Sequence, residues 1–169
     1  METIGFYRKV IGFYGVKGQY GGFSNFYKTN FVVRGQSFCC SEQYIMYEKS
    51  LLFRDNEIAA QILASTNPAY IKKLGRQVRN YHDYVWRMHR VDWCEPGLLA
   101  KFSQNDYLKN LLLSTDDAIL AECSPYDRIW GIGLAIDDPR VQDPSMWRGE
   151  NLLGRMLMDV RHQLRMGNF

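Results

Sequence analysis

The sequence predicts an α+β fold, predominantly helical, in a single domain spanning residues 1–169. Three observations carry this expectation. The stretch from Ile4 to Phe38 is dense in Gly, Tyr, Phe and Val, with short apolar runs between glycine clusters, which reads as β-strand and loop. From Ser41 onward, apolar residues recur three and four apart, the period of a helix that buries one face. A chain of 169 residues can bury one substantial core and is short for two, and no internal repeat, low-complexity tract or linker divides it.

In chain order, short strands are expected near Ile4–Tyr7, Ile11–Tyr14 and Phe31–Val33. Helices follow over Ser41–Phe53, Asp55–Ala64, a run opened by Asn67-Pro68 and ending at Leu74, about Asp83–Val91, Pro96–Phe102 and about Asp106–Leu113. Ser41, Asp55 and Asn67 are candidate N-caps, because a short polar side chain can accept a bond from an otherwise unpaired amide of the first turn. Pro68 falls at a first-turn position, where its missing N–H costs nothing. A short strand is placed at Ala118–Glu122. The last helix runs from about Glu150 to Arg165, with Leu152, Leu153, Met156, Leu157, Val160 and Leu164 as its apolar stripe. Before it, Gly131 to Arg148 reads as a long irregular segment. Segments of that size inside compact domains tend to be functional or disordered, and Ile136, Met146 and Trp147 argue for packed order. Either a cover over a ligand cleft or a packed surface excursion fits.

The formal charge is +3, from 21 basic and 18 acidic residues, so the surface is mixed and does not make a general nucleic-acid coat. Lys72, Lys73, Arg76, Arg79, Arg87 and Arg90 nevertheless crowd a stretch whose one acid is Asp83, as a solvated face or as contacts for phosphate. Cys39 and Cys40 are adjacent while Cys94 and Cys123 stand alone, a pattern of neither zinc ligands nor a disulfide framework. A reduced, cytoplasmic protein is expected. Met1 to Val10 lack the apolar core of a signal peptide, no run reaches membrane-spanning length, and His82, His89 and His162 are scattered. Neither a catalytic metal nor a cofactor is expected, nor contact with a membrane.

Glu42 is the most informative residue. Steps of three and four from it reach Ile45, Met46, Lys49, Leu52 and Phe53, so the acid lies on the apolar stripe of its helix and points inward. Desolvation raises the pKa of such a carboxyl, while the positive helix N-terminus favours its charged form. Those opposed influences suit a group that handles a proton or meets transient positive charge; a structural ion pair with an Arg would occupy the same position. Other segments could contribute chemistry. Gly21-Gly22-Phe23-Ser24-Asn25-Phe26 sets polar side chains between aromatics, Asp127 to Gly133 joins an acid to Trp130 and two glycines, and Trp86 could supply a second stacking face. Arg148-Gly149-Glu150-Asn151 ahead of Gly154 offers an Arg beside a helix N-terminus, a phosphate site or a simple cap.

Taken in order, Gly21–Phe26, Ser41-Glu42-Gln43-Tyr44 with Lys49, Trp86 fourteen residues before Ala100-Lys101-Phe102, Asp127–Gly133 and Asn151-Leu152-Leu153-Gly154 resemble the NADAR, or YbiA-like, family. The resemblance runs from about Ile4 to Leu164 and rests on the order and spacing of the segments. It implies a compact, mostly helical α+β fold and a metal-independent N-glycosidase that cleaves ribose C1′ from an exocyclic amine of a 2-amino-4-oxo-pyrimidine ring. Carried over residue by residue, it makes Glu42 the principal catalytic candidate and Asp127 its polar partner, with Trp86 and Trp130 as pocket aromatics. Asn25, Lys49, Gly131, Arg148 and Asn151 are expected on the substrate. Lys49 lies about 10 Å along the helix from Glu42 at ~1.5 Å per residue, which suits a phosphate or ribose contact, or else pairs with an acid elsewhere.

The Gly131–Arg148 segment resembles the longer form of this loop in the family, and with Arg140 and Arg148 it could receive a diphosphate. The expected substrate is therefore ADP-ribosylated guanine, as nucleoside or in nucleic acid. The alternatives are the phosphoribosylamino-pyrimidine intermediates of riboflavin synthesis and, in a different class, a non-catalytic module binding ADP-ribose or NAD-like ligands. Oligomeric state stays open.

Overall fold

A computed structural model describes residues 8–167. Its elements are β1 (Val10–Phe13), β2 (Phe31–Val33), β3 (Gln36–Phe38), α1 (Ser41–Leu52), α2 (Asn56–Ala64), α3 (Pro68–Gly75), α4 (Asp83–Ser103), α5 (Asp106–Leu113), β4 (Ile119–Glu122) and α6 (Leu152–Met166). Short 3₁₀ turns lie at Gly21–Phe23, Pro139–Gln142 and Pro144–Met146. The fold is helical with a few short strands, as the sequence predicts. The strand expected at Ile4–Tyr7 lies outside the described residues. Among those described, no helix is long and apolar enough to cross a membrane.

β1 and β4 pair in parallel, with Val10 opposite Ile119 and Phe13 opposite Glu122, while β2 and β3 form an antiparallel hairpin. The hairpin adds a strand to the sequence reading, which placed only Phe31–Val33. Its two-residue turn, Arg34-Gly35, has positive φ at both positions, the geometry that matches the twist of paired strands. α1 lies against α2, α3 and α4, and Tyr44, Ile62, Leu98, Phe102 and Leu112 are among the side chains buried in the main core. All six stripe residues of α6 are buried, each worth roughly 1.5–3 kcal/mol in transfer from water.

Two boundaries differ from the sequence reading for identifiable reasons. The helices expected at Asp83–Val91 and Pro96–Phe102 are one helix, α4, which runs through Pro96. Proline cannot donate to the carbonyl four residues back, that of Asp92, yet the helix continues; at the adjacent carbonyl, Trp93, the Tyr44 hydroxyl donates at 3.0 Å. Gly97 makes the approach possible, because a Cβ there would stand 2.0 Å from the Tyr44 ring. At α1 the capping residue is Cys40, with no side-chain cap, and Ser41 is already helical with its hydroxyl buried and unpartnered. The free amide of Glu42 is taken instead by the Asn25 carbonyl at 2.9 Å. Asp55 and Asn67 do cap α2 and α3, accepting from Ile58 and from Ala69 and Tyr70 respectively.

The segment from Gly131 to Arg148 is ordered, and none of its residues lines the cavities found among the described residues. Ile132, Leu134 and Val141 pack with Val10, Ala121 and Cys123 into a second small core on the β1–β4 pair. Arg140 is bound to Asp138 next to it, with Nε at 2.9 Å from the carboxylate. The packed order expected for this segment is present, because its apolar side chains find a sheet face to bury.

Candidate active site

A cavity of about 290 Å³ opens beside the N-terminal half of α1, and most of the expected site residues line it. α1 contributes Glu42, Ile45, Met46 and Lys49, the turn after the first 3₁₀ helix contributes Ser24, Asn25 and Phe26, and α3 with its C-terminal cap contributes Lys72, Gly75 and Arg76. Trp86 comes from α4, Glu122 from the end of β4, and Asp127, Ile129 and Trp130 from the loop after it. The elements converge because close approaches are kept open. A Cβ on Gly75 would lie 2.0 Å from the Met46 sulfur, so glycine there leaves room for the Met46 side chain between α3 and α1.

Glu42 is 6% exposed, and its carboxylate has no hydrogen bond or ion pair among the described residues. Burial pushes its pKa up to about 7, against the pull of Lys72, Arg76 and Lys49 and with a further push from Asp127. The alternative of a structural ion pair with an Arg is not what this acid does. Glu122, which the sequence reading left inside a strand, is in the same condition. Its Oε2 is buried without a partner, and burial, followed by Asp127, raises its pKa to about 7 despite Lys72. Asn25 is 8% exposed and its side-chain oxygen is likewise unpaired. Buried polar atoms are ordinarily paired, so the two orphans lining this cavity, Asn25 Oδ1 and Glu122 Oε2, together with the unpaired carboxylate of Glu42 beside them, mark where a ligand's groups belong.

Other walls are held firmly. Asp127 accepts from the amides of Ile129 and Trp130 at 2.9 and 2.8 Å, so one carboxylate oxygen fixes the loop that presents Trp130. Trp86 is buried and Trp130 half-buried. Lys49 donates to the Gly75 carbonyl at 2.8 Å and lies 4.3 Å from the centre of the Tyr81 ring, with its pKa lowered by burial. Its partner is thus a backbone carbonyl and a π-face rather than an acid. Lys101 is fully buried behind the site and donates to the Ser24 carbonyl at 2.9 Å, holding the Ser24-Asn25 turn in place. Burial lowers its pKa to about 7.

Three expected site residues do not reach the cavity. Asn151 donates to the Leu120 carbonyl at 2.8 Å and accepts from the Glu122 amide at 3.1 Å, supplying β4 with the bonds a neighbouring strand would give. Gly131 is buried against the carbonyls of Glu122 and Asp127, where a Cβ would come within 2.9 Å of both. Arg148 is exposed and packs its Cβ near Gly133. Nor is the α6 N-terminus free to bind an anion. The amides of Glu150, Asn151, Leu152 and Leu153 donate to the carbonyls of Arg128, Gly131, Ile129 and Trp130, which uses up the donors a phosphate would need. Gly154 is there for packing, since its Cβ would be 2.1 Å from the Leu120 carbonyl.

The sequence reading did not single out Glu122, nor Lys101 as a support behind the site, and it raised Lys72 and Arg76 only within a basic run that could contact phosphate. Lys72 and Arg76 are four apart and so share a face of α3, a signal present in the basic run. Lys101 stood inside the Ala100-Lys101-Phe102 segment. Nothing local distinguished Glu122. Among the described residues, no group of three or more His, Cys, Asp or Glu could hold a metal ion.

Comparison with known proteins adds an independent view. Residues 12–165 match the model of the NADAR domain. The protein irg-1 of Caenorhabditis elegans is 40% identical over 158 residues, covering 84% of this chain and 74% of that protein. A protein of Acanthamoeba polyphaga mimivirus named N-glycosidase R617 is 37% identical over 163 residues, covering 92% and 96%. The solution structure of YbiA from Escherichia coli superposes with a TM-score of 0.79 at 30% identity, covering 96% of this chain and 88% of that one.

Proposed function

The chain belongs to the NADAR family, and from that premise we propose that it is an N-glycosidase that hydrolyses the bond between ribose C1′ and the exocyclic nitrogen of a 2-amino-4-oxo-pyrimidine ring. The observation that carries this reading is Glu42: a buried carboxylate without a partner, beside aromatic side chains in a cavity. Breaking a ribosyl C–N bond builds positive charge on C1′ and the ring oxygen. A desolvated carboxylate stabilises that charge strongly, and one about 3 Å from the attacking water takes its proton. Asp127, whose second oxygen makes no hydrogen bond among the described residues, orients the water or a ribose hydroxyl, while Trp86 and Trp130 stack on the base.

The cavity volume lies near the lower end for small-molecule sites, about 300 Å³, enough for a base and its ribose. Phosphates then fall at the mouth, by Lys72 and Arg76. Beyond them a second concavity shares Lys72, Arg76, Asp127 and Ile129 and adds Arg128 and Tyr126, the latter 94% exposed. Three cations and an open aromatic ring suit a diphosphate followed by an adenosine. This supports ADP-ribosylated guanine as the substrate, in place of the diphosphate contact expected from Arg140 and Arg148. A guanine within a duplex would have to leave the stack to enter.

The test compares release of ADP-ribose from ADP-ribosylated guanosine with release of ribose 5-phosphate from the phosphoribosylamino-pyrimidine of riboflavin synthesis. A higher kcat/KM on the former is expected; preference for the latter assigns the chain to that pathway's intermediates. Binding of ADP-ribose without hydrolysis of either compound, unchanged in Glu42→Ala, would make it a binding module. That outcome runs against the buried charge of Glu42, which only weakens the hold on an anion.

One observation favours a second route for the same reaction. Lys49 lines the cavity with its pKa lowered by burial, and such an amine, once deprotonated, can displace the exocyclic nitrogen from C1′; that nitrogen leaves with a proton, and the N-glycosyl lysine opens its ribose ring to an imine that water then hydrolyses. Borohydride added during turnover would trap that adduct on Lys49, whereas direct attack by water leaves the protein unmodified.

A further inference from the structure

The reaction needs a proton donor for the departing nitrogen, and Glu42, as base, cannot be that donor in the same step. Glu122 ends β4, with its backbone amide held by Asn151 Oδ1 at 3.1 Å and its carbonyl accepting from Ile132 at 2.9 Å, so its side chain starts from a rigid point on the cavity wall. Its Oε2 is buried without a partner, and no salt bridge involves it among the described residues. A buried carboxyl with no cation bound to it is strongly disfavoured as an anion and keeps its proton as an O–H donor. The charged and titratable groups that share the cavity are Glu42 and Lys49 of α1, Lys72 and Arg76 of α3 and Asp127 of the loop. α4 adds only the uncharged Trp86 there.

Resting on the N-glycosidase reading, we propose that Glu122 is the catalytic acid that protonates the leaving exocyclic nitrogen while Glu42 acts on the opposite partner of the displacement. The C1′–N bond breaks, its electron pair stays on nitrogen, and that nitrogen takes the Glu122 proton to leave as the free amine. Water oxygen bonds to C1′ and loses a proton to Glu42. Transfer of that proton through solvent back to Glu122 restores the starting state, and no other reactant is consumed. Two acids whose like charges oppose joint ionisation suit this division of labour, with one protonated while the other is ionised. Their titration belongs to the pair.

The experiment measures kcat and KM against pH on ADP-ribosylated guanosine for the wild-type protein, Glu122→Gln and Glu122→Asp, with thermal melts of each. The wild-type kcat is expected to fall on both sides of neutrality. Glu122→Gln is expected to lose at least about 100-fold in kcat with KM nearly unchanged. It also loses the alkaline fall, while its acidic limb, set by Glu42 beside an already uncharged neighbour, stays close to that of the wild type. Glu122→Asp keeps a titrating carboxyl and so keeps the alkaline fall at reduced rate. A Glu122→Gln protein within threefold of the wild-type kcat, or one that is slow but retains the alkaline limb, overturns the proposal. If Glu122→Gln does not fold, the limb seen in Glu122→Asp decides. A wild-type protein inactive on every ribosylated amine refutes the N-glycosidase reading instead, a distinct result.

Discussion

Asp55 and Glu42 are both buried acids in the first turn or cap of adjoining helices, yet their surroundings are opposite. Asp55 accepts from the Ile58 amide, the Arg79 amide and two guanidinium nitrogens of Arg79, at 2.7–3.2 Å. Those bonds hold its carboxyl well below the usual carboxylate range. Glu42 accepts none, and burial lifts its pKa to about 7. The difference separates an acid that holds the fold together from one that the fold leaves available for chemistry. Burial alone does not distinguish them; the partner list does.

The largest expected effect tests that contrast directly. Glu42→Gln should lower kcat on ADP-ribosylated guanosine by about 10³-fold or more, equivalent to ~4 kcal/mol of transition-state stabilisation, while the melting curve stays cooperative. Undiminished release of guanosine by the folded variant would remove Glu42 from the mechanism. Asp55→Ala should do the reverse. Loss of a cap and of buried hydrogen bonds costs about 2–3 kcal/mol in denaturant unfolding, with the largely exposed Arg79 adding less than a buried partner would. Activity at temperatures where it is folded should stay close to wild type. Catalytic loss in Asp55→Ala without loss of stability would collapse the distinction.

Titration sharpens the same comparison with a smaller effect. Glu42 has its folded pKa raised from 4.5 to about 7, so between those values the native state holds more protons than the unfolded chain and stability falls as pH rises. Asp55 has the opposite sign: its contribution is complete above the unfolded value and is lost as pH drops through the lowered folded one. Glu42→Gln should therefore raise stability over wild type by roughly 1–3 kcal/mol at pH 8 and by little at pH 4. Equal gains at both pH values would show that the acid is not strained in the fold. The smallest effect is expected in the second core: Arg140→Ala and Arg148→Ala should leave kcat/KM within about twofold, because Arg140 is engaged by Asp138 and neither side chain lines the cavity. A tenfold loss in either would return the 131–148 segment to the substrate.

Much of the architecture was legible in the order of residues. The α6 stripe, the Asp55 and Asn67 caps and the inward face of Glu42 all follow from spacings of three and four, which a helix converts into neighbours whatever lies across from it. Trp86, Trp130, Asp127, Asn25 and Lys49, which the family resemblance singled out, line the cavity. Asn151, Gly131 and Arg148 show the limit of that kind of reading. They stand within motifs, but a motif does not say whether a residue meets a ligand or holds the strand behind one.

By itself the sequence determined the helices, their buried faces and the acid at the head of α1, because these depend on contacts a few residues apart. Only the tertiary structure decided that Glu122, some eighty residues from Glu42, shares its cavity. The same holds for the α6 N-terminus, covered by the 128–131 carbonyls, and for the long segment, which packs on the sheet. Convergence of distant groups, and the presence or absence of a partner for each buried charge, are set by how elements pack. No local pattern encodes that, because the desolvation that tunes a carboxyl comes from every wall of the cavity at once.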